Sequence, residues 1–226
     1  MISTLSIRNH YTSELARCIN EVIILLPLNK PCKINLNGTT ITVTDGIIVN
    51  NADLFQMLDV QELLELKIPL PLFIEKDINI SKSYFDFNRI HFVEQFRNLV
   101  LEAIHQPIQD EFSMNMYISG IIEFLLREAR VVLKSIYIPC LNTKHPLVAR
   151  ITKYIHDNVC NTLNTKHLSQ TFYISQSYIS ILFASNINMN FKRYTTSLRI
   201  ALSLYDLIQD NKSIYEVAIK YQFLNV

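Results

Sequence analysis

The chain has 226 residues, 49% of them hydrophobic and 18% charged, with only three glycines. That composition excludes wholesale disorder and supplies enough apolar side chain for two modest folded units, each with its own core. The formal net charge of +1 conceals an asymmetry: residues 1–141 hold 12 Lys and Arg against 16 Asp and Glu, a net of −4, whereas residues 142–226 hold 9 against 4, a net of +5.

A basic C-terminal part fits a polyanionic partner, because each cation placed near a phosphate releases condensed counterion; an excess of five equally describes a solvated basic face. The cysteines Cys18, Cys32, Cys140 and Cys160 are scattered without a C-x-x-C pair, which argues against a zinc knuckle or a disulfide framework and suits a reducing cytoplasm. The N-terminus lacks a basic start followed by an apolar run, and Val22 to Leu28 is too short to span a bilayer, so the expected protein is cytoplasmic with no membrane partner.

Residues 1–20 are polar with scattered apolar positions and read as a weakly ordered arm or a short helix. From Val22 onward, short β-branched runs alternate with breaks at Pro27, Pro31, Asn37-Gly38 and Asp45-Gly46, the pattern of antiparallel strands and hairpins. Asn37-Gly38 is the sharpest turn signal, flanked by Ile34 and Leu36 before it and Ile41 and Val43 after it. The run LLELKIPLPLFIE predicts one or two further strands, giving a small sheet or partial barrel over about Val22 to Ile74.

A cupin-type metal enzyme needs a histidine and carboxylate cluster on such strands. The six histidines, His10, His91, His105, His145, His156 and His167, all fall outside Val22 to Ile74, so neither a metal nor any other cofactor is expected, and an enzyme is the least favoured class. The inward strand faces supply mainly Ile, Leu, Val and Phe. They suit a small apolar effector or a plain hydrophobic core.

Between Asn88 and Ile104 the apolar positions Ile90, Val93, Phe96, Val100 and Ile104 recur at helical spacing. Pro107 ends that helix, and a second runs from about Glu111 to Leu133 with Met114, Ile118, Ile121, Leu125 and Val132 along one stripe. We expect these two helices to form a dimer contact, with Ile90, Val93, Phe96, Val100, Ile118 and Leu125 as its candidates, or to complete the core of a single chain. The charges Arg127, Glu128, Arg130 and Lys134 read as a solvated face.

Pro139 to Pro146 is polar, bounded by prolines and placed where the charge balance changes sign, so it reads as a linker over 139–146 between units at 1–138 and 147–226. Leu147, Ile151, Tyr154, Ile155 and Val159 predict an opening helix. Asn164 or Thr165 then caps a helix containing His167, Leu168, Thr171 and Phe172. Ile174 enters a turn, and Ser175 caps the helix QSYISILFAS. Two helices so closely joined outline a helix-turn-helix, which places its second helix in the major groove of DNA. Ile179, Leu182 and Phe183 share the face that must pack inward. Gln176, Ser177, Ser180 and Ile181 lie on the other, where they can reach base edges, and the helix N-terminus at Ser175 and Ser177 can donate to a phosphate.

The run from His167 to Phe223 resembles the DNA-binding domain of the AraC/XylS family of bacterial transcription regulators. The residues that carry the likeness are Ile174-Ser175, Ser177-Tyr178-Ile179-Ser180, Leu182-Phe183, Phe191, Tyr194, Arg199-Ile200, Leu207-Ile208, Ser213-Ile214, Glu216-Val217-Ala218 and Phe223. They span about sixty residues in register. The resemblance implies an α+β chain: an N-terminal sensing and dimerisation domain, here the small sheet with two helices, followed by an all-α domain of two helix-turn-helix units joined by a helix from Arg193 to Gln209. It implies promoter DNA as partner, pairing as a homodimer or as a heterodimer with related regulators, contact with RNA polymerase, and a role as regulator with no enzymatic activity.

Two departures matter. The recognition helix carries Ile181 and Ala184 where the family usually has Arg or Lys, so base readout falls to Gln176 on adenine, Ser177 or Ser180, and Ile181 against a thymine methyl. Affinity is then expected from Lys166, Lys192, Arg193 and Arg199 on phosphates, Arg199 being equally suited to an internal ion pair. Asn188 stands at the family's turn glycine and tolerates the left-handed conformation. The sequence stops at Phe223-Leu224-Asn225-Val226, before the second recognition helix of the family, so the second unit is expected to be truncated, with Ile214, Val217, Ala218 and Phe223 partly exposed. The alternative function is a relative that no longer binds DNA but antagonises full-length regulators through protein–protein contact.

Overall fold

A computed structural model describes residues 4–9, 12–60, 62–74, 76, 78–105, 111–210 and 212–223. Ten strands and eight α-helices follow one another among these residues. The strands β1 (Thr4–Asn9), β2 (Ala16–Arg17), β3 (Glu21–Pro27), β4 (Cys32–Leu36), β5 (Thr39–Val43), β6 (Ile47–Val49), β7 (Leu54–Asp59) and β8 (Glu62–Pro69) build two four-stranded antiparallel sheets, ordered β1-β8-β3-β6 and β2-β7-β4-β5. The expected N-terminal arm or helix is therefore strand at Thr4–Asn9 and Ala16–Arg17: β1 pairs with β8 and β2 with β7. The partial barrel is two sheets rather than one.

The hairpin of β4 and β5 turns at Asn37 and Gly38, both with positive φ (50° and 84°), and its register closes with Leu36 opposite Thr39. This is the two-residue turn that Asn-Gly favours, because its twist matches that of the strands. A Cβ on Gly38 would stand 2.4 Å from the Asn142 carbonyl oxygen, so residue 38 must be glycine for packing as well as conformation.

The run VIILLP is buried at every position from Val22 to Pro27, because the first sheet is covered on both faces, a situation that removes the usual alternation. Ile23 and Leu25 join Cys32, Ile34, Val43 and Met57 of the second sheet in one apolar cluster, while Val22, Ile24 and Leu26 join a second cluster with the helices. The inner faces between the sheets are thus filled by one another. An apolar effector expected there finds core side chains.

Of the one or two strands predicted over LLELKIPLPLFIE, β8 is one, and the chain then forms α1 (Leu70–Ile74), with Leu70 and Phe73 buried. A short strand, β9 (Ser83–Phe85), precedes α2 (Val93–His105) and α3 (Glu111–Phe124). Ile90 lies before α2 rather than on it. The second helix is shorter than its apolar stripe: Leu125–Ala129 forms a π-helical turn, and Arg130–Val132 is strand β10, paired antiparallel with β9. Pro107 lies outside the described residues, as do the side chains of Ile104 and Met114.

Five of the six candidate dimer residues, Ile90, Phe96, Val100, Ile118 and Leu125, are buried inside the single chain, and Val93 packs against the same cluster. Phe96 touches Phe87 and Phe124 with ring centroids 6.3 and 5.0 Å apart. The burial matches the second of the two expectations, completion of a single chain's core. The stripe is spent on the monomer core, and a second chain would have to meet other surfaces of these helices.

Residues 133–145 carry no regular structure but are tied to the sheets: Tyr137 Oη donates to Asp53 Oδ1 (2.7 Å), Asn142 N to Asn37 O (2.7 Å) and Asn142 Nδ2 to Thr39 Oγ1 (2.8 Å). The segment expected to link two units is strapped to the hairpin. Then follow α4 (Pro146–Asp157), α5 (Thr165–Phe172), α6 (Gln176–Ile187), α7 (Phe191–Ile208) and α8 (Ile214–Lys220). Among the described residues no helix is long and apolar enough to cross a membrane.

The burial pattern sets a direct test by denaturant unfolding. Phe96→Ala should lower the unfolding free energy by about 3–5 kcal/mol, the range for a fully buried aromatic. Met116→Ala, on the exposed side of α3, should change it by no more than about 0.5 kcal/mol.

Candidate nucleic-acid interface

Both helices of the candidate site begin on a side-chain cap. Asn164 Oδ1 accepts from His167 N (2.7 Å) at the start of α5, and Ser175 Oγ accepts from Tyr178 N (3.1 Å) at the start of α6. Each cap satisfies one of the amide donors that a helix N-terminus leaves unpaired. Between them Tyr173 closes α5 in the left-handed conformation (φ 55°, ψ 45°) and donates its N–H to Ser169 O. The turn is three residues, 173–175. At the other end of α6 Asn188 is also left-handed (φ 56°), as expected of an asparagine in that position.

Ile179, Leu182, Phe183 and Ile187 form the buried face of α6. Phe183 packs edge-on against Phe191 and Tyr194, with centroids 5.5 and 5.6 Å apart. The remaining face leaves Gln176, Ser177, Ser180, Ile181 and Ala184 exposed, Ile181 to 60%.

The polar groups on this face are not all free. Thr165 Oγ1 donates to Gln176 Oε1 (2.9 Å) and Ser180 Oγ to Gln176 O (3.3 Å). The Gln176 amide keeps both N–H donors and a second carbonyl lone pair, enough for a bidentate contact with adenine if that oxygen is shared. Ser175 Oγ is committed to its cap, so its contribution to an anion would come through the backbone.

The four candidate cations separate. Lys166 and Lys192 are exposed on the surface. Lys192 shares a groove of about 360 Å³ with Asn164, Thr165 and Arg199. Arg199, however, donates Nε to Val159 O (3.0 Å) and Nη2 to Asn161 O (2.6 Å). Two of its five N–H donors thus hold the loop between α4 and α5. Arg193 is exposed but leans the other way, with Nη2 3.5 Å from Leu15 O beside Thr12 and Ser13.

Two exposed aromatics escape a reading by hydrophobic period: Tyr173, 94% exposed at the turn, and Tyr178 on the first turn of α6. The only cue in the sequence was the placement of Tyr173 two residues before the Ser175 cap. A bulky residue in the left-handed region carries a cost that glycine would not.

Behind the interface, α4 and α7 meet through His156 and Tyr194. His156 Nε2 lies 2.7 Å from Tyr194 Oη, and the rings stack within 9° of parallel. Burial, with the positive charges of Arg17 and, less, Lys153, pulls the His156 pKa down to about 4 against a smaller opposing contribution from Asp157. The second unit begins at α8, capped reciprocally by Ser213 and Glu216 and bound to α7 by Lys212 and Lys220, which meet the buried Asp206 at 3.2 and 2.6 Å. Val217 is buried, whereas Ile214 and Tyr215 are 79% and 68% exposed. Residues 224–226 lie outside the described residues.

No family model and no curated protein matches the sequence. Among solved structures, ToxT from Vibrio cholerae is similar over 96% of this chain and 87% of its own, with 12% identity and a TM-score of 0.39. ToxT from Vibrio cholerae O395 bound to (E)-4-(8-methylnaphthalen-1-yl)but-3-enoic acid gives the same coverage and identity at a TM-score of 0.36. The AraC-like transcriptional activator CuxR is similar over 90% of this chain and 72% of its own, with 12% identity and a TM-score of 0.37. These likenesses are too remote to transfer the role of any residue. Among the described residues no group of histidine, cysteine and acidic side chains could hold a metal ion.

The His156 environment predicts how stability varies with pH. The folded-state pKa near 4 lies below the unfolded value of about 6.5, so the unfolded chain binds the extra proton and stability present above pH 6.5 is lost as pH falls. Urea unfolding should show a loss of about 2 kcal/mol between pH 7 and pH 5 from this group, and His156→Gln should flatten that dependence.

Proposed function

We propose that the chain is a DNA-binding transcription regulator of AraC/XylS type that reads DNA through α6. The observation that carries this reading is the pair of capped helices α5 and α6 on a three-residue turn, with Gln176, Ser177, Ser180 and Ile181 exposed opposite the buried Ile179, Leu182 and Phe183. That disposition fits the helix-turn-helix docking mode, in which the N-terminal part of the second helix meets base edges. The sequence pattern from Ile174 to Phe223 supports the same reading independently. Gln176 takes adenine, Ile181 takes a thymine methyl, and Lys166 and Lys192 take phosphates, joined by Arg193 when it releases Leu15.

With so few cations at the interface, affinity in a single chain is modest. Two chains present two such helices, as homodimer or heterodimer, through surfaces other than the buried α2 and α3 stripe. The acidic 1–141 part then stands away from the phosphates, where RNA polymerase is a further candidate partner. The alternative, a relative acting on other regulators by protein contact alone, draws support from α8, where Ile214, Tyr215 and Ile219 leave an apolar face open.

Fluorescence anisotropy with a duplex library across a salt series distinguishes the two. DNA binding by this interface should show a log–log salt slope of about −2 to −3 per chain, and Lys192→Ala should make the slope shallower by about one. Gln176→Ala should cost about 1–3 kcal/mol on the preferred site with an unchanged slope. Absence of DNA binding at 50 mM salt, with the fold intact, would remove the proposal and leave the protein-contact reading.

A further inference from the structure

A cavity in the N-terminal part of the chain lies away from the nucleic-acid interface. It measures about 460 Å³ and opens between β5, the 44–47 connection, β9 and the 86–88 turn. Its size is in the range of small-molecule sites. Its lining is unusual in sign. Three aspartates, Asp45, Asp53 and Asp86, contribute to the wall, and among the described lining residues there is no lysine, arginine or histidine. Arg97, which donates to the carbonyls of Pro27 and Asp45, and Arg17, the cation that acts on Asp53, are not part of the wall.

The acids are spread rather than convergent, so they form no metal site among the described residues. Asp45 is exposed and Asp86 half-buried, which places them toward the mouth, while Asp53 is buried. Asp86 Oδ1 accepts from Asn88 N and Nδ2, both at 3.0 Å, leaving Oδ2 without a protein partner among the described residues. The aromatic part of the wall is organised as well. Tyr84 and Tyr137 stack with centroids 5.3 Å apart and 19° between planes, and Tyr137 Oη is fixed by its bond to Asp53. A tyrosine ring can pack against an apolar or aromatic body.

We propose that this cavity is a binding site for a small organic ammonium ion with an apolar or aromatic body: the cation lies at the mouth, in the field of Asp45 and Asp86, and the body lies against Tyr84 and the β5 side chains. A carboxylate ligand is disfavoured by the same field. The 50–53 turn links the site to α7. Asn50 exchanges two hydrogen bonds with the Phe85 backbone in the cavity wall (3.0 and 2.7 Å), Asp53 Oδ2 accepts from Asn50 N (2.7 Å), and Asn51 Nδ2 donates to Ala201 O on α7 (2.9 Å). Occupancy is therefore felt where α7 meets the sheets.

The site is independent of whether α6 reads DNA, and its test uses the full chain without DNA. Isothermal titration compares three probes of one shape, phenethylamine, phenethyl alcohol and phenylacetate, together with benzyltrimethylammonium. Phenethylamine or benzyltrimethylammonium should bind with sub-millimolar Kd, at least tenfold tighter than the alcohol, with phenylacetate weakest. The double variant Asp45→Asn with Asp86→Asn, whose thermal melt reports its fold, should weaken the bound cation at least tenfold and leave the alcohol unchanged. Amide hydrogen exchange in the 50–53 turn should slow with the cation present. Equal binding of amine and alcohol, preference for phenylacetate, no binding of either cation at 10 mM, or unchanged cation affinity in the folded double variant would overturn the proposal.

Discussion

The placement of Arg17 against α7 is the interaction on which the remaining geometry depends. Its guanidinium lies 4.9 Å over the Tyr194 ring, donates Nε to Ser197 Oγ at 3.0 Å and Nη1 to Ala52 O, and is buried. A buried guanidinium is costly unless its donors and charge find partners. Here the ring face and the carbonyl supply most of them. Nη2 finds no hydrogen-bond partner among the described residues. Asn51 on Ala201 O and Gln209, bonded to both Ile78 O and Ser81 N, fix α7 at two further points along its length. Three polar clamps on one helix set its rotation as well as its position, which apolar packing alone does less sharply.

Because Tyr194 and Phe191 on α7 also receive Phe183, the docking of α7 determines where α6 stands relative to the sheets. The same residue thus faces two ways: Tyr194 meets Arg17 on one side and His156 and Phe183 on the other. One helix, α7, lies between the 50–53 turn and α6, touching the turn through Asn51 and α6 through Phe183. That turn is itself constrained. Ala52 holds a positive φ of 78°, and Asp53 is surrounded by donors from Asn37, Asn50 and Tyr137 that favour its charged form, while burial pushes its pKa upward.

Burial on both faces of the first sheet explains why two sequence expectations met different ends. VIILLP is a continuous apolar run because one face meets the second sheet and the other meets the helices; periodicity predicts the strand but not the two partners. The apolar stripes of α2 and α3 were legible as stripes. A stripe carries no label saying whether its complement is the same chain or another, and here it is the same chain. Likewise the 139–146 segment has linker composition, yet its backbone finds hydrogen bonds on the β4–β5 hairpin. Arg130–Val132 continued a helical pattern and became a strand because β9 offered it a ladder.

The sequence by itself determined the elements whose signal is local: the Asn37-Gly38 hairpin, the caps at Asn164 and Ser175, the left-handed Asn188, and the division of α6 into an apolar and a polar face. Each depends on residues within a few positions of one another, so chain order already contains the physics. Only the tertiary structure decided how the cations are held, since Arg199 donates to carbonyls about forty residues away and Arg193 leans toward Leu15. It also decided that Asp45, Asp53 and Asp86 share a cavity and that α7 locks onto β2. Those outcomes rest on contacts between residues 30 to 180 positions apart, where burial and polar satisfaction are settled jointly and no local pattern records the result.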